Sequence, residues 1–165
     1  MTQKQNIRVL LIFSFFCLSL GGLMLHYRIH PPGDLPGNII PTVAGIFSIV
    51  VILPLFCFHR GVAYGYVLNG MIAIIGTIGM LHFSLKHLPP VLTLQVIIFK
   101  TLLADIIVLW GKFAIGKTIF ELDLFRKEED AGRTGRFFRY PNMGWWWVHL
   151  AALSMVYTLG SLLWK

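Results

Sequence analysis

VLTLQVIIFKTLLADIIVLWGKFAIGKTIF, residues Val91–Phe120, is apolar except for Gln95, a few threonines and four charges, Lys100, Asp105, Lys112 and Lys117. A helix that crosses a bilayer needs about 20 residues. Every window of that length in this stretch contains Asp105, together with Lys100 or Lys112. A charge at the centre of such a helix costs roughly 2.5–3.5 kcal/mol on insertion scales. If the segment spans, something must offset that cost, so this helix is the first place to look for function.

The rest of the chain agrees with a membrane reading. Of 165 residues, 56% are hydrophobic and 13% are charged, with mean hydropathy +0.74, against about 25% charged in soluble domains. The apolar residues come in long blocks, not in the short alternating segments of a β-barrel. The fold class expected is all-α: one integral membrane domain, residues 1–165, forming a polytopic bundle of about five helices. The expected spans are residues 7–25, 38–58, 62–85, 91–120 and 145–164, with a loop at 121–144. Pro31-Pro32-Gly33 and Pro36-Gly37 separate the first two, and His59-Arg60-Gly61 makes a tight turn between the second and third. Pro89-Pro90 ends the third. Pro54 sits inside the second, where its missing N–H should kink the last turn and release the Val50 carbonyl.

The net charge of +7 does not point to nucleic acid, because the basic residues lie between apolar blocks, where they set topology and meet anionic lipid. With the N-terminus inside, ten basic residues are internal: Lys4, Arg8, Arg60, Lys112, Lys117, Arg126, Lys127, Arg133, Arg136 and Arg139. Four are external: Arg28, Lys86, Lys100 and Lys165. That bias predicts N-in and C-out, in an inner membrane of bacterial type. Lys4 and Arg8 before Val9–Leu20 also resemble a secretory leader. The apolar run continues to Leu25 with no A-x-A site, which favours an uncleaved anchor. Cys17 and Cys57 fall inside apolar segments and read as small buried thiols.

Gly111–Thr118 matches G-x-x-x-x-G-K-[ST] letter for letter. A phosphate-binding loop needs a strand before it and a helix after it. Here an apolar span precedes it, so no nucleotide is expected; Lys112 and Lys117 read as lysines snorkelling from a helix end.

Asp105 and Lys112 share a helix face but are roughly 10 Å apart along the axis, and Lys100 is roughly 140° around from Asp105. The carboxylate should therefore find its partner on another helix, with His82, Asn69 and His26 as candidates. Asn69 belongs to a small-residue stripe, Gly61, Gly65, Asn69, Ile72, Gly76 and Gly79. Such a stripe suits close helix packing or a polar lining facing Asp105. The site expected around ion or proton exchange, or helix pairing, is Asp105, His82, Asn69, Lys112 and Lys100.

The histidines offer other chemistry. His26, His30 and His82 with Asp34 or Asp105 could form an outer metal site; His26 facing His82 and His59 facing His149 match in depth, as haem b ligation requires. Helix-end histidines are also ordinary, and no cofactor is the base expectation. Arg133, Arg136 and Arg139 interleave with aromatics, and Trp145 and Trp146 begin the last span, a pattern suited to the lipid headgroup layer. No G-x-S-x-G or HExxH motif indicates hydrolysis.

The function expected is that of a small, non-enzymatic membrane component with a polar centre at Asp105, serving proton or ion movement or docking in a larger complex. A second copy or a partner subunit is expected at this size. The alternatives are a di-haem electron-transfer subunit and an enzyme acting on lipid headgroups.

Overall fold

The computed structural model describes residues 3–33, 36–130 and 143–163. Among them there are helices, short turns and no strand. In order they are α1 (Gln3–Ile29), a 3₁₀ turn (Pro36–Asn38), α2 (Ile39–Phe47), a π-helical segment (Ser48–Ile52), α3 (Leu53–Cys57), α4 (Val62–Lys86), α5 (Leu94–Lys100), α6 (Leu103–Asp130) and α7 (Met143–Leu163).

Three stretches are long and apolar enough to cross a membrane: Gln3–Ile29, Ile39–Cys57 and Val62–Lys86. A fourth follows if α5 and α6, bent by 70° at their junction, count as one span. In α7 the apolar helix Ala151–Gly160 is shorter. Large apolar side chains point outward along these helices, including Leu10, Phe13, Met24, Val50, Ile75 and Ile107. That surface is compatible with a lipid surrounding.

The second span behaves as Pro54 demands. Its missing N–H cannot bond one turn back, and the turn before it opens into the π segment Ser48–Ile52. At Phe58–Gly61 the chain reverses, with the Gly61 N–H on the Phe58 carbonyl at 2.9 Å. A Cβ on Gly61 would meet the Leu55 carbonyl oxygen at 2.8 Å, so the reversal needs glycine.

The stretch 91–120 is not one straight helix. Thr101 is extended (φ −115°, ψ 175°) and separates α5 from α6. No proline or glycine causes this. Local and distant side chains take up the freed backbone groups instead. The Leu102 N–H donates to Ser84 Oγ (3.1 Å), and the Leu103 N–H to Thr101 Oγ1 (3.3 Å), a serine/threonine-type turn. Thr101 Oγ1 in turn donates to the Ile97 carbonyl, and His30 Nε2 donates to the Thr101 carbonyl (3.1 Å). Broken helices survive at membrane depth where side chains satisfy the backbone in this way. Beyond Phe120, α6 continues to Asp130, so the first ten residues assigned to a loop are helical. Leucine, glutamate, lysine and arginine are good helix formers, and Lys117 pairs with Glu121 at 3.2 Å.

The core lies where α6 packs between α1 and α4. Tyr66 of α4 stacks on Phe120 of α6 with ring centroids 4.5 Å apart, and Trp146 of α7 meets Tyr66 edge-on at 6.0 Å. Trp146 lies over Gly70, where a Cβ would be 2.6 Å from its ring. It is 5% exposed, so it faces protein and not the headgroup layer expected for it.

Candidate functional site: a buried carboxylate–imidazole pair

Asp105 does not sit mid-helix. The break at Thr101 puts it in the first turn of α6, where the helix dipole favours a negative charge by about 0.3–2 kcal/mol. Its partner is His26 of α1. Nδ1 of the imidazole lies 3.1 Å from Oδ1 and 3.2 Å from Oδ2, so the ring N–H spans both carboxylate oxygens. His26 is 1% exposed and Asp105 9%.

The pair belongs to a regular polar seam. In antiparallel α1 and α6, residue i of α1 meets residue 131 − i of α6, His26 with Asp105 and Arg8 with Asp123, and the rule continues just past the helix ends to His30 and Thr101. Ser19 and Lys112 obey the same rule and line one cavity. Glycine sets the approach: a Cβ on Gly22 would lie 2.4 Å from Val108 Cγ1.

That cavity, about 20 Å³, is lined by Ser19, Gly22, His26, Asp105, Met80 and Lys112 among others. A buried water needs about 10–15 Å³ on the same measure, so the space suits one water-sized guest. Among the described residues, His26 Nε2 and Ser19 Oγ on its lining are buried without a hydrogen-bond partner. An unsatisfied buried donor or acceptor costs roughly 1–3 kcal/mol. Both atoms therefore call for a small polar guest.

Lys112 is 3% exposed. Its Nζ donates to Ser48 Oγ (3.0 Å), and that hydroxyl donates to the Ala44 carbonyl (2.6 Å). Ser48 opens the π segment, so the irregularity that Pro54 imposes is where the lysine docks. The backbone carbonyl of Lys112 accepts from Asn69 Nδ2 (3.1 Å).

The other expected residues fall elsewhere. His82 packs its ring on Phe83 and Tyr157, 5.3 and 5.6 Å between centroids. Lys100 ends α5 and is exposed, and His149 lies half-buried on α7. The glycine stripe of α4 packs against helices: Gly65 on Phe56, Gly76 on Leu109, Gly79 on Ile40. His26 and His30 lie 5.7 Å apart, ring to ring, but each bonds α6. Of the axial pairs that haem would need, the structure gives His26 to Asp105 and His59 to Asp123. Among the described residues no group of three or more His, Cys, Asp or Glu could hold a metal ion. Asp34, Arg133, Arg136, Arg139 and the side chain of Trp145 lie outside the described residues.

Sequence reasoning did not single out Ser19, Ser48, Thr101, Arg8 or Asp123. One signal was available. Asp105 and Asp123 are 18 residues apart, as are Arg8 and His26, which is about five helical turns and so one face of each helix.

The fold and the site define a small helical bundle with apolar helices and a carboxyl–imidazole pair inside it. Comparisons with protein families, with curated proteins and with solved structures find no match. The functional reading therefore rests on geometry.

Proposed function

We propose that the chain is a small, non-enzymatic, multi-pass membrane component whose α1–α6 seam exchanges protons, with the His26–Asp105 pair as the exchanging centre. In this reading the bundle has five spans, N-in and C-out, in a bacterial-type inner membrane, and works with a second copy or a partner subunit. The bias of lysine and arginine toward one side supports that orientation.

The observation that carries the reading is the cavity. Among the described residues, His26 and Ser19 each carry a buried polar atom without a hydrogen-bond partner, and both residues line a water-sized space together with Asp105 and Lys112. A proton taken up at His26 Nε2 makes an imidazolium, whose Nδ1–H stays on Asp105. The carboxylate keeps that charge tolerable in a buried site. Release from Nε2 resets the pair. Ser19 and Lys112 line the cavity through which the proton would enter or leave. The cavity volume favours this use over a larger solute or a lipid headgroup.

Purified protein in proteoliposomes, with a pH-sensitive dye inside and a pH step across the membrane, tests the reading. Proton flux is expected from the parent, and Asp105→Asn should reduce it by about a hundredfold or more while the helical circular dichroism is kept. A parent without flux, or an Asp105→Asn variant with the parent's flux, removes the proposal.

A further inference from the structure

A second carboxylate–imidazole pair lies at the other end of α6. His59 Nδ1, in the turn before α4, is 2.6 Å from Asp123 Oδ1. Arg8 of α1 lies 3.6 Å from the same oxygen, also bonds the His59 ring, and donates through Nη2 to the Phe56 carbonyl at 2.9 Å. The Asp123 side chain is 4% exposed and that of His59 is 43%. One member of the pair is thus buried against the bundle and the other opens outward.

We propose that Asp123 and His59, held by Arg8, form the second proton-exchange site of the same path, facing the membrane side that carries the start of α1. The inference rests on the proton-exchange reading of His26–Asp105. Three observations lead to it. First, the two sites repeat one chemistry, a carboxylate with an imidazole. Second, they share one line: Asp105, Lys112 and Asp123 lie on one face of α6, and His26, Ser19 and Arg8 on the facing side of α1, in the single 131 − i register. Asp105 to Asp123 covers about 27 Å of helix, close to the hydrocarbon thickness of about 30 Å. Third, the stretch between them is closely packed and largely apolar but not featureless. Phe15 and Phe56, both 0% exposed, meet edge to face at 5.2 Å and fill the level of Gly116. Asn69 reaches the same level, and its Oδ1 is buried without a partner. Protons do not cross about 16 Å of hydrocarbon, the gap from Lys112 to Asp123, without polar stations. The path therefore divides into an outer cavity and an inner port, with the Phe15–Phe56 contact as the barrier and the Asn69 amide beside it as a hydrogen-bonding station that is not itself protonated.

Other charges near the port are Lys4 on the preceding turn of α1, Arg60 beside His59, and the Lys117–Glu121 pair on α6. These remain in every variant used as a test. Full-length protein in proteoliposomes is assayed as above, with Asp123→Asn and His59→Gln beside the parent and Asp105→Asn. In parallel, ring-nitrogen NMR of His26 and His59 is recorded over a pH series in nanodiscs.

Asp123→Asn and His59→Gln are each expected to cut flux by about a hundredfold, with the His26 resonances unchanged, since the two pairs share no atom. Both variants fluxing like the parent, while Asp105→Asn is inactive, overturns this inference and leaves the His26–Asp105 reading standing. A parent without flux overturns both. If Asp123→Asn fails to fold, His59→Gln decides alone, because that ring is already half in solvent.

Discussion

The two ends of α6 hold the same pair of functional groups in opposite surroundings. At one end His26 and Asp105 are both enclosed and, among the described residues, meet no guanidinium; at the other, Asp123 is enclosed, but His59 is open and Arg8 lies alongside. The enclosed pair depends on itself, because either partner left alone would be a buried polar group without its hydrogen bond. The open pair has a third member and solvent to share the load. Equal chemistry therefore implies unequal energetic consequences, and substitutions can measure the difference.

The largest effect is expected at the enclosed pair. His26→Ala strands the Asp105 carboxylate and should lower stability by about 3–5 kcal/mol, read as a shift in denaturant midpoint in detergent. A loss below that measured at the open pair would invert the comparison. Next comes the barrier between the ends. An alanine at Gly116 would place its Cβ 2.3 Å from Asn69 Nδ2 and 2.8 Å from Phe56 Cζ. Overpacking of this kind costs about 1–3 kcal/mol, and thermal melts of Gly116→Ala should show it.

Lys112→Met should change stability by about 1 kcal/mol or less, because the charge and its desolvation leave together and the volume is kept. Its proton flux should fall all the same, which separates a working lysine from a packing one. The smallest change is expected from His59→Gln. Arg8 stays beside Asp123, so the carboxylate keeps a partner, and losing the contact to the half-exposed His59 ring should cost about 0–1 kcal/mol. If His59→Gln melts at the parent's temperature yet slows flux, the open pair is a port and not a clamp.

Much of this architecture was legible. Long apolar runs marked the helices, and α4 spans 62–86 against an expected 62–85. The trouble foreseen at Pro54 appears as a π turn one step earlier. The break at Thr101 was not legible, since KTLLAD carries no breaker and the partners that stabilise it, Ser84 and His30, come from other helices. Spacing set Lys100 and Lys112 aside as tight partners for Asp105 and pointed to another helix, where the carboxylate meets His26. Choosing His26 over His82 and Asn69 needed the register of α1 against α6, which is a tertiary quantity. Arg8 was read as a topology charge, and Asp123 as part of a loop. Each reading was local, whereas their meeting depends on the whole length of two helices.

The constant register of α1 on α6 has a mechanical consequence. His30–Thr101, His26–Asp105 and Arg8–Asp123 are teeth on one rack, fixed to two stiff rods. If α1 slid along its axis, all three would disengage in the same stroke, whatever the distance between them. A motion that opens one end and spares the other cannot be a slide. It has to be local, acting on one contact at a time while the register of α1 on α6 is kept.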